Sequence, residues 1–108
     1  EVKTTVSFRV LDLISAALGA VNDPQIKKVK AFYLERNNGT GGRIWGSGEE
    51  TDISTAAFIN AMLAHTLELD DVHPASKTHG SASLIPAELR KVCPCFWKGI
   101  SHSCGVRL

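Results

Sequence analysis

Residues 56–86 read AAFINAMLAHTLELDDVHPASKTHGSASLIP, and no other stretch constrains the chain as much. Wound as a helix, its first half is apolar on almost every side. Ile59, Leu63 and Leu67 fall on one stripe, Met62 and Leu69 cover another, and Ala56, Ala57, Ala61 and Ala64 spread around the rest. A helix apolar all round has to be buried among other elements, and its alanines let neighbouring backbones come close. The spacing predicts a helix from Thr55 to about Leu69, begun at Thr51-Asp52, with the Asp52 carboxylate capping the N–H of Ser54 or Thr55. Asn60, Ala64, Glu68 and Asp71 recur at about a helical step of four. A thin polar line is therefore expected down this helix, and buried polar groups need partners.

The preceding residues supply the cover. Thr5–Ala20 has helical spacing at Val6, Val10, Leu13, Ala17 and Ala20, with Phe8, Leu11, Ile14 and Leu18 beside them. Asn22-Asp23-Pro24 reads as a stop and a new start. Asp23 caps and Pro24 takes the first helical position, where a missing N–H costs nothing. The helix Pro24–Leu34 then buries Ile26, Val29, the stem of Lys30 and Tyr33, and leaves Lys27 and Lys28 in water. Asn37–Gly42 is a turn or flexible loop, and Arg43–Gly46 a short extended piece. These glycines are not a phosphate loop, since no Lys-Ser or Lys-Thr follows them. The expected fold is all-α: a small bundle of three to four helices with a minor extended segment near 43–46. Residues 1–89 form the helical segment and 90–108 an off-pattern tail.

Charge and composition narrow the function classes. The net charge is +1 with Lys and Arg scattered, and phosphate binding needs a clustered basic face, so no nucleic-acid partner is expected. No run is long enough for a transmembrane helix, and no membrane partner is expected. No basic n-region precedes an apolar core at the start, so no secretory signal is read. The three cysteines, Cys93, Cys95 and Cys104, cluster near the end, unlike a disulfide framework spread through a small secreted fold. The expectation is a reducing, cytoplasmic setting, or the mitochondrial matrix in a eukaryote. Pro94 forbids an uninterrupted helix through the tail. The tail reads as a frame change or alternative end. Its functional alternative is a zinc knuckle of Cys93, Cys95, His102 and Cys104, whose C-x-C and H-x-C spacings are unusual for zinc.

The chemistry sits in the loop. Glu68, Asp70, Asp71, His73 and His79 fall within twelve residues, bent by Pro74 and Gly80. Histidine titrates near neutral pH, and a neighbouring carboxylate orients its ring and raises its pKa. Such a pair can move a proton on or off carbon or oxygen. Spacing alone leaves three readings open: a catalytic loop, an ordinary polar turn, and a metal site. The last would need His73 and His79 with Asp70 or Asp71, a spacing that matches no usual zinc pattern. No metal ligand is assigned.

At these residues the chain resembles the MmgE/PrpD family, which includes 2-methylcitrate dehydratases, cis-aconitate decarboxylase and iminodisuccinate epimerases. The matching text is Ala56-Ala57-Phe58-Ile59-Asn60, Ala64-His65-Thr66-Leu67-Glu68-Leu69-Asp70-Asp71, His73-Pro74, His79 and Ile85-Pro86-Ala87. Val10–Ile14 with Ala16–Ala20 resembles the family's opening helix, and Ile44–Gly48 its segment before the central helix. The resemblance covers roughly residues 5–89. It implies a cofactor-free enzyme for a small di- or tricarboxylate, working by proton transfer at a carbon beside a carboxylate. The outcome would be dehydration, decarboxylation or epimerisation. By the same resemblance, His79 is the acid/base candidate and Glu68 orients a group or carries a proton. Asp70, Asp71, His73 and Lys77 line the substrate side, with Asp70 and Asp71 equally readable as structural.

The chain departs from the family pattern at three of these places. Glu68 stands where Asp is common, Val72 where Thr often supplies a hydroxyl, and Gly80 where Pro is frequent. Family enzymes are several hundred residues long and take further basic groups and a lid from later positions. Three or four helices in about ninety residues cover an apolar helix poorly, so self-association as a homo-oligomer is expected. A small helical interaction module without catalysis is the alternative to an enzyme relative.

Overall fold

A computed structural model describes residues 1–92. Its elements run α1 (Val2–Gly19), α2 (Pro24–Arg36), β1 (Gly41–Arg43), β2 (Glu50–Asp52), α3 (Ile53–His65) and α4 (Gly80–Val92). The architecture is all-α with one small hairpin. The Cys93–Leu108 tail and the zinc-knuckle reading of it lie outside the described residues.

The apolar run organises the packing as expected, with α3 lying against α4 and α1 and touching α2 and both strands. Ile59, Leu63 and Ala64 of α3 are buried with Leu13, Ala17 and Ala20 from the end of α1, Ile26 of α2, and Ala82 of α4. Ile44 and Trp45 close the core from the hairpin turn. Only the C-terminal part of α1 takes part: Val6, Phe8, Leu11 and Leu18 are exposed, although the spacing placed Val6 on the buried face. No single helix among the described residues is long and apolar enough to cross a membrane.

Both expected caps form. The Asp23 carboxylate accepts from Gln25 N (2.8 Å) and Ile26 N (3.1 Å), with Pro24 opening α2. Asp52 accepts from Ser54 N (2.9 Å) and Thr55 N (3.1 Å). It also accepts from the Asn37 amide, which ties the end of α2 to the start of α3. Lys30 lays its stem against the protein and pairs with Glu49 at 2.7 Å.

The extended segment is a two-stranded antiparallel hairpin, with Gly41 opposite Asp52, Gly42 opposite Thr51 and Arg43 opposite Glu50. It is shifted from the expected 43–46, and β2 was not anticipated, because three residues carry too little alternation to read as a strand. Gly42 is required by close approach: a Cβ there would lie 2.6 Å from that of Ala56 on α3. Asn60, the first residue of the expected polar line, fastens this contact. Its Oδ1 accepts from Trp45 N (2.8 Å), and its Nδ2 donates to the Arg43 carbonyl (2.9 Å).

Helix α3 stops at His65, short of the expected Leu69. Thr66 bonds back to the Met62 carbonyl through both its N–H (2.9 Å) and its hydroxyl (2.6 Å). Glu68 then turns left-handed at φ 51°. Leu67 lies over Gly19, where a Cβ would stand 3.1 Å from its Cδ1. Leu69 is exposed, so nothing on that side rewards continuing the helix. Glu68 and Asp71 therefore do not prolong a helical polar line from Asn60.

Asn60→Ala is expected to lower stability by about 1–3 kcal/mol, because it removes both hydrogen bonds that fasten the hairpin backbone to α3, one of them fully buried. The loss should appear as a lower thermal midpoint with the helical circular-dichroism signal retained below it.

Candidate functional site

The early stop of α3 builds the site. The turn through Glu68 reverses the chain, and Asp70 comes back under the last residue of the helix. His65 ends α3, Asp70 sits in the loop and His79 immediately precedes α4. Three separate anchors thus place three titratable side chains together.

The Asp70 side chain is fully buried. Its Oδ1 lies 3.1 Å and its Oδ2 3.3 Å from His65 Nδ1, and Oδ2 lies 3.0 Å from His79 Nδ1. The two imidazoles meet edge to face with centroids 4.6 Å apart. Burial by itself would push the Asp70 carboxyl up. The hydrogen bonds from His65 and His79, with a backbone hydrogen bond and the charge of His65, outweigh it and hold the carboxyl below its ordinary value. An ionised carboxylate only accepts, so each imidazole directs an Nδ1–H at it and keeps Nε2 on the other side of the ring.

Both histidines edge an open groove of about 680 Å³ between α3 and α4. Phe58, Ala61 and Met62 form one wall, and Ala82, Ser83 and Leu84 the other. Thr78 and Ser83 add hydroxyls, and among the described residues no Lys or Arg lines the groove. The site is a pair of carboxylate-held imidazoles at the rim of a largely apolar cleft.

The sequence-predicted residues divide. His79 and Asp70 come together. Asp71 turns toward α1, where Arg9 approaches it at 4.0 Å. His73 folds into its own turn: its Nδ1 lies 2.9 Å from the Ser76 hydroxyl, and its backbone pairs with Thr78. Lys77 is exposed in that turn at φ 51°. Glu68 is exposed, and only its N–H bonds back, to the His65 carbonyl at 2.8 Å. Neither Glu68 nor His73 reaches the His65–Asp70–His79 cluster. His65 stands in the family-like text but is not among the site residues that the sequence names. Its signal was available: one histidine closing an otherwise apolar helix, five residues before a carboxylate.

The family model described as the MmgE/PrpD N-terminal domain matches residues 1–89. Comparison with curated proteins and with solved structures finds no match.

Folding lowers the Asp70 pKa, so as pH falls the unfolded chain takes up this proton first. The stabilisation is complete above the ordinary carboxylate value and is lost as pH falls through the lower, folded-state value. Asp70→Asn is therefore expected to cost about 1–3 kcal/mol near neutral pH. Denaturant titrations over a pH series should show this gap closing only below the ordinary carboxylate range.

Proposed function

The chain belongs to the MmgE/PrpD family, and from that premise we propose that residues 1–89 carry the acid–base part of a cofactor-free lyase or isomerase site for small di- or tricarboxylates. The observation that supports this most is the buried Asp70 carboxylate holding both His65 and His79 through Nδ1. A carboxylate behind an imidazole fixes the tautomer, and it stabilises the imidazolium that forms when Nε2 takes a proton.

In this reading His79 Nε2 removes the proton from a carbon beside a substrate carboxylate, and the electron pair moves into that carboxylate. Returning a proton to the opposite face gives epimerisation. Protonating and expelling a neighbouring hydroxyl as water gives dehydration. Decarboxylation runs with the proton delivered to carbon as the bond to the departing carboxylate breaks. His65 shares Asp70 and sits close enough to hold a second proton. Lys77 is the one Lys or Arg between Glu68 and His79; exposed in its turn and outside the groove lining, it offers a counter-charge on the approach to the site. Asp71 and His73 shape the loop around it. Glu68 takes the role of turn former, since its backbone and not its carboxylate is engaged.

A second reading, a helical module that associates without catalysis, is favoured by exposed apolar residues. Val2, Phe8 and Leu11 on α1 are 77%, 66% and 59% exposed, and Phe58 and Leu84 flank the groove. Covering them favours self-association as a homo-oligomer.

Solvent exchange of the C–H protons of cis-aconitate, 2-methylcitrate and iminodisuccinate, followed by NMR, separates the two. Exchange is expected for at least one of them, and His79→Ala should slow it by about 100-fold or more. Glu68→Gln should leave it within a few-fold. No exchange from a folded chain that forms a stable dimer would give the second reading precedence.

A further inference from the structure

We infer that His65, Asp70 and His79 form a binding site for one divalent transition-metal cation of the zinc class. The ion's remaining coordination position would open to water in the groove. One ligand atom from each of the three residues lies within 4.8 Å of the other two. The separations already come close to what an ion requires. Ligands bound tetrahedrally at 2.0–2.1 Å stand about 3.3 Å apart, and the imidazole nitrogens lie 3.0–3.3 Å from the Asp70 oxygens. Only the two imidazoles have to draw together, and both have room. Their side chains are 48% and 37% exposed, while the Asp70 side chain is fully buried and fixed.

The donor set selects the class of ion. Two nitrogens and one carboxylate oxygen suit zinc, cobalt, nickel or copper. Calcium and magnesium take oxygen ligands and would leave the imidazoles unused. Three protein ligands with an open fourth position is the pattern of an accessible site, not of a closed structural one. The spacing had offered His73 as the partner of His79, but His73 is turned into its own loop by Ser76. His65 takes that place from the end of α3.

Binding also changes what the histidines can do. To give Nδ1 to the ion, each neutral imidazole moves its proton to Nε2, and the hydrogen bonds to Asp70 are replaced by bonds to the metal. Nε2 is then a donor and can no longer take a proton from carbon. If His79 is the proton-transfer group, a clause that rests on the function proposed above, the ion is an inhibitor that occupies the site. Metal binding itself rests only on the geometry.

Cobalt(II) titration of the full chain, followed by visible ligand-field absorption, tests the site without any activity assay. One ion per chain is expected, displaced by zinc. His65→Ala, at a half-exposed position, should weaken binding by more than the 10–100-fold lost when a group behind a ligand is removed. His73→Ala should leave it unchanged. Replacing Cys93, Cys95 and Cys104 together by Ser should also leave the absorption in place. The inference is overturned by a folded chain that binds no cobalt. It is equally overturned if binding is unaltered in folded His65→Ala, or if the absorption disappears with the cysteines, which would assign the ion to the tail.

Discussion

Helix α3 has too much apolar surface to stand in water, and the other elements are arranged by the need to cover it. The end of α1, one face of α2, the hairpin turn and the start of α4 each contribute a few side chains to the same core. Burial of this kind is favourable but has no direction. Direction comes from a few polar fasteners. Asn60 holds the hairpin turn against α3, and the Asn37–Asp52 contact holds the end of α2 at the helix start. Asp70 gathers the two histidines where α3 ends and α4 begins. Each fastener is a buried or half-buried polar group whose loss of water is offset only by a specific partner, so together they select one arrangement among many equally greasy ones.

The same logic explains why the site forms where it does. A carboxylate without exposure would be costly unless it were hydrogen-bonded, and two imidazoles approach it from two directions. The loop between Glu68 and His79 is mostly exposed. Its shape follows local bonds: His73 with Ser76 and Thr78, Lys77 N–H to the His73 carbonyl, and two non-glycine residues at positive φ. Residues held left-handed carry a small conformational cost, and here both occur in the segment that delivers Asp70 and His79.

Much of this was legible in the amino-acid sequence. The two caps at Asp23 and Asp52, the starts of α2 and α3, and the buried stripe of Ile59 and Leu63 follow from short-range rules that need no tertiary information. His79 and Asp70 were singled out together. The end of α3 was not legible, because Leu67 and Leu69 continue the apolar count while the space that would bury them is absent. The apolar count therefore carries Glu68 and Asp71 along a helix that has already ended. The role of His65 is hidden for a related reason. A histidine in the last turn of an apolar helix acquires a role only when the chain returns to it, and a return of five residues through a left-handed glutamate leaves no periodic trace. Hairpin strand β2 escaped notice because its three residues are held by register with Gly41–Arg43, not by any preference of their own.

Because His79 stands directly before Gly80 while His65 closes α3, the two imidazoles ride on different helices. Their separation is in effect a gauge of how α4 seats on α3. Ala82, Ile85 and Leu89 set that seating from the α4 side. A displacement of α4 would move one histidine and not the other, and Pro86, which removes a backbone hydrogen bond inside this 13-residue helix, is the point at which it can bend. The spacing of the pair is thereby tied to the seat of α4 on α3.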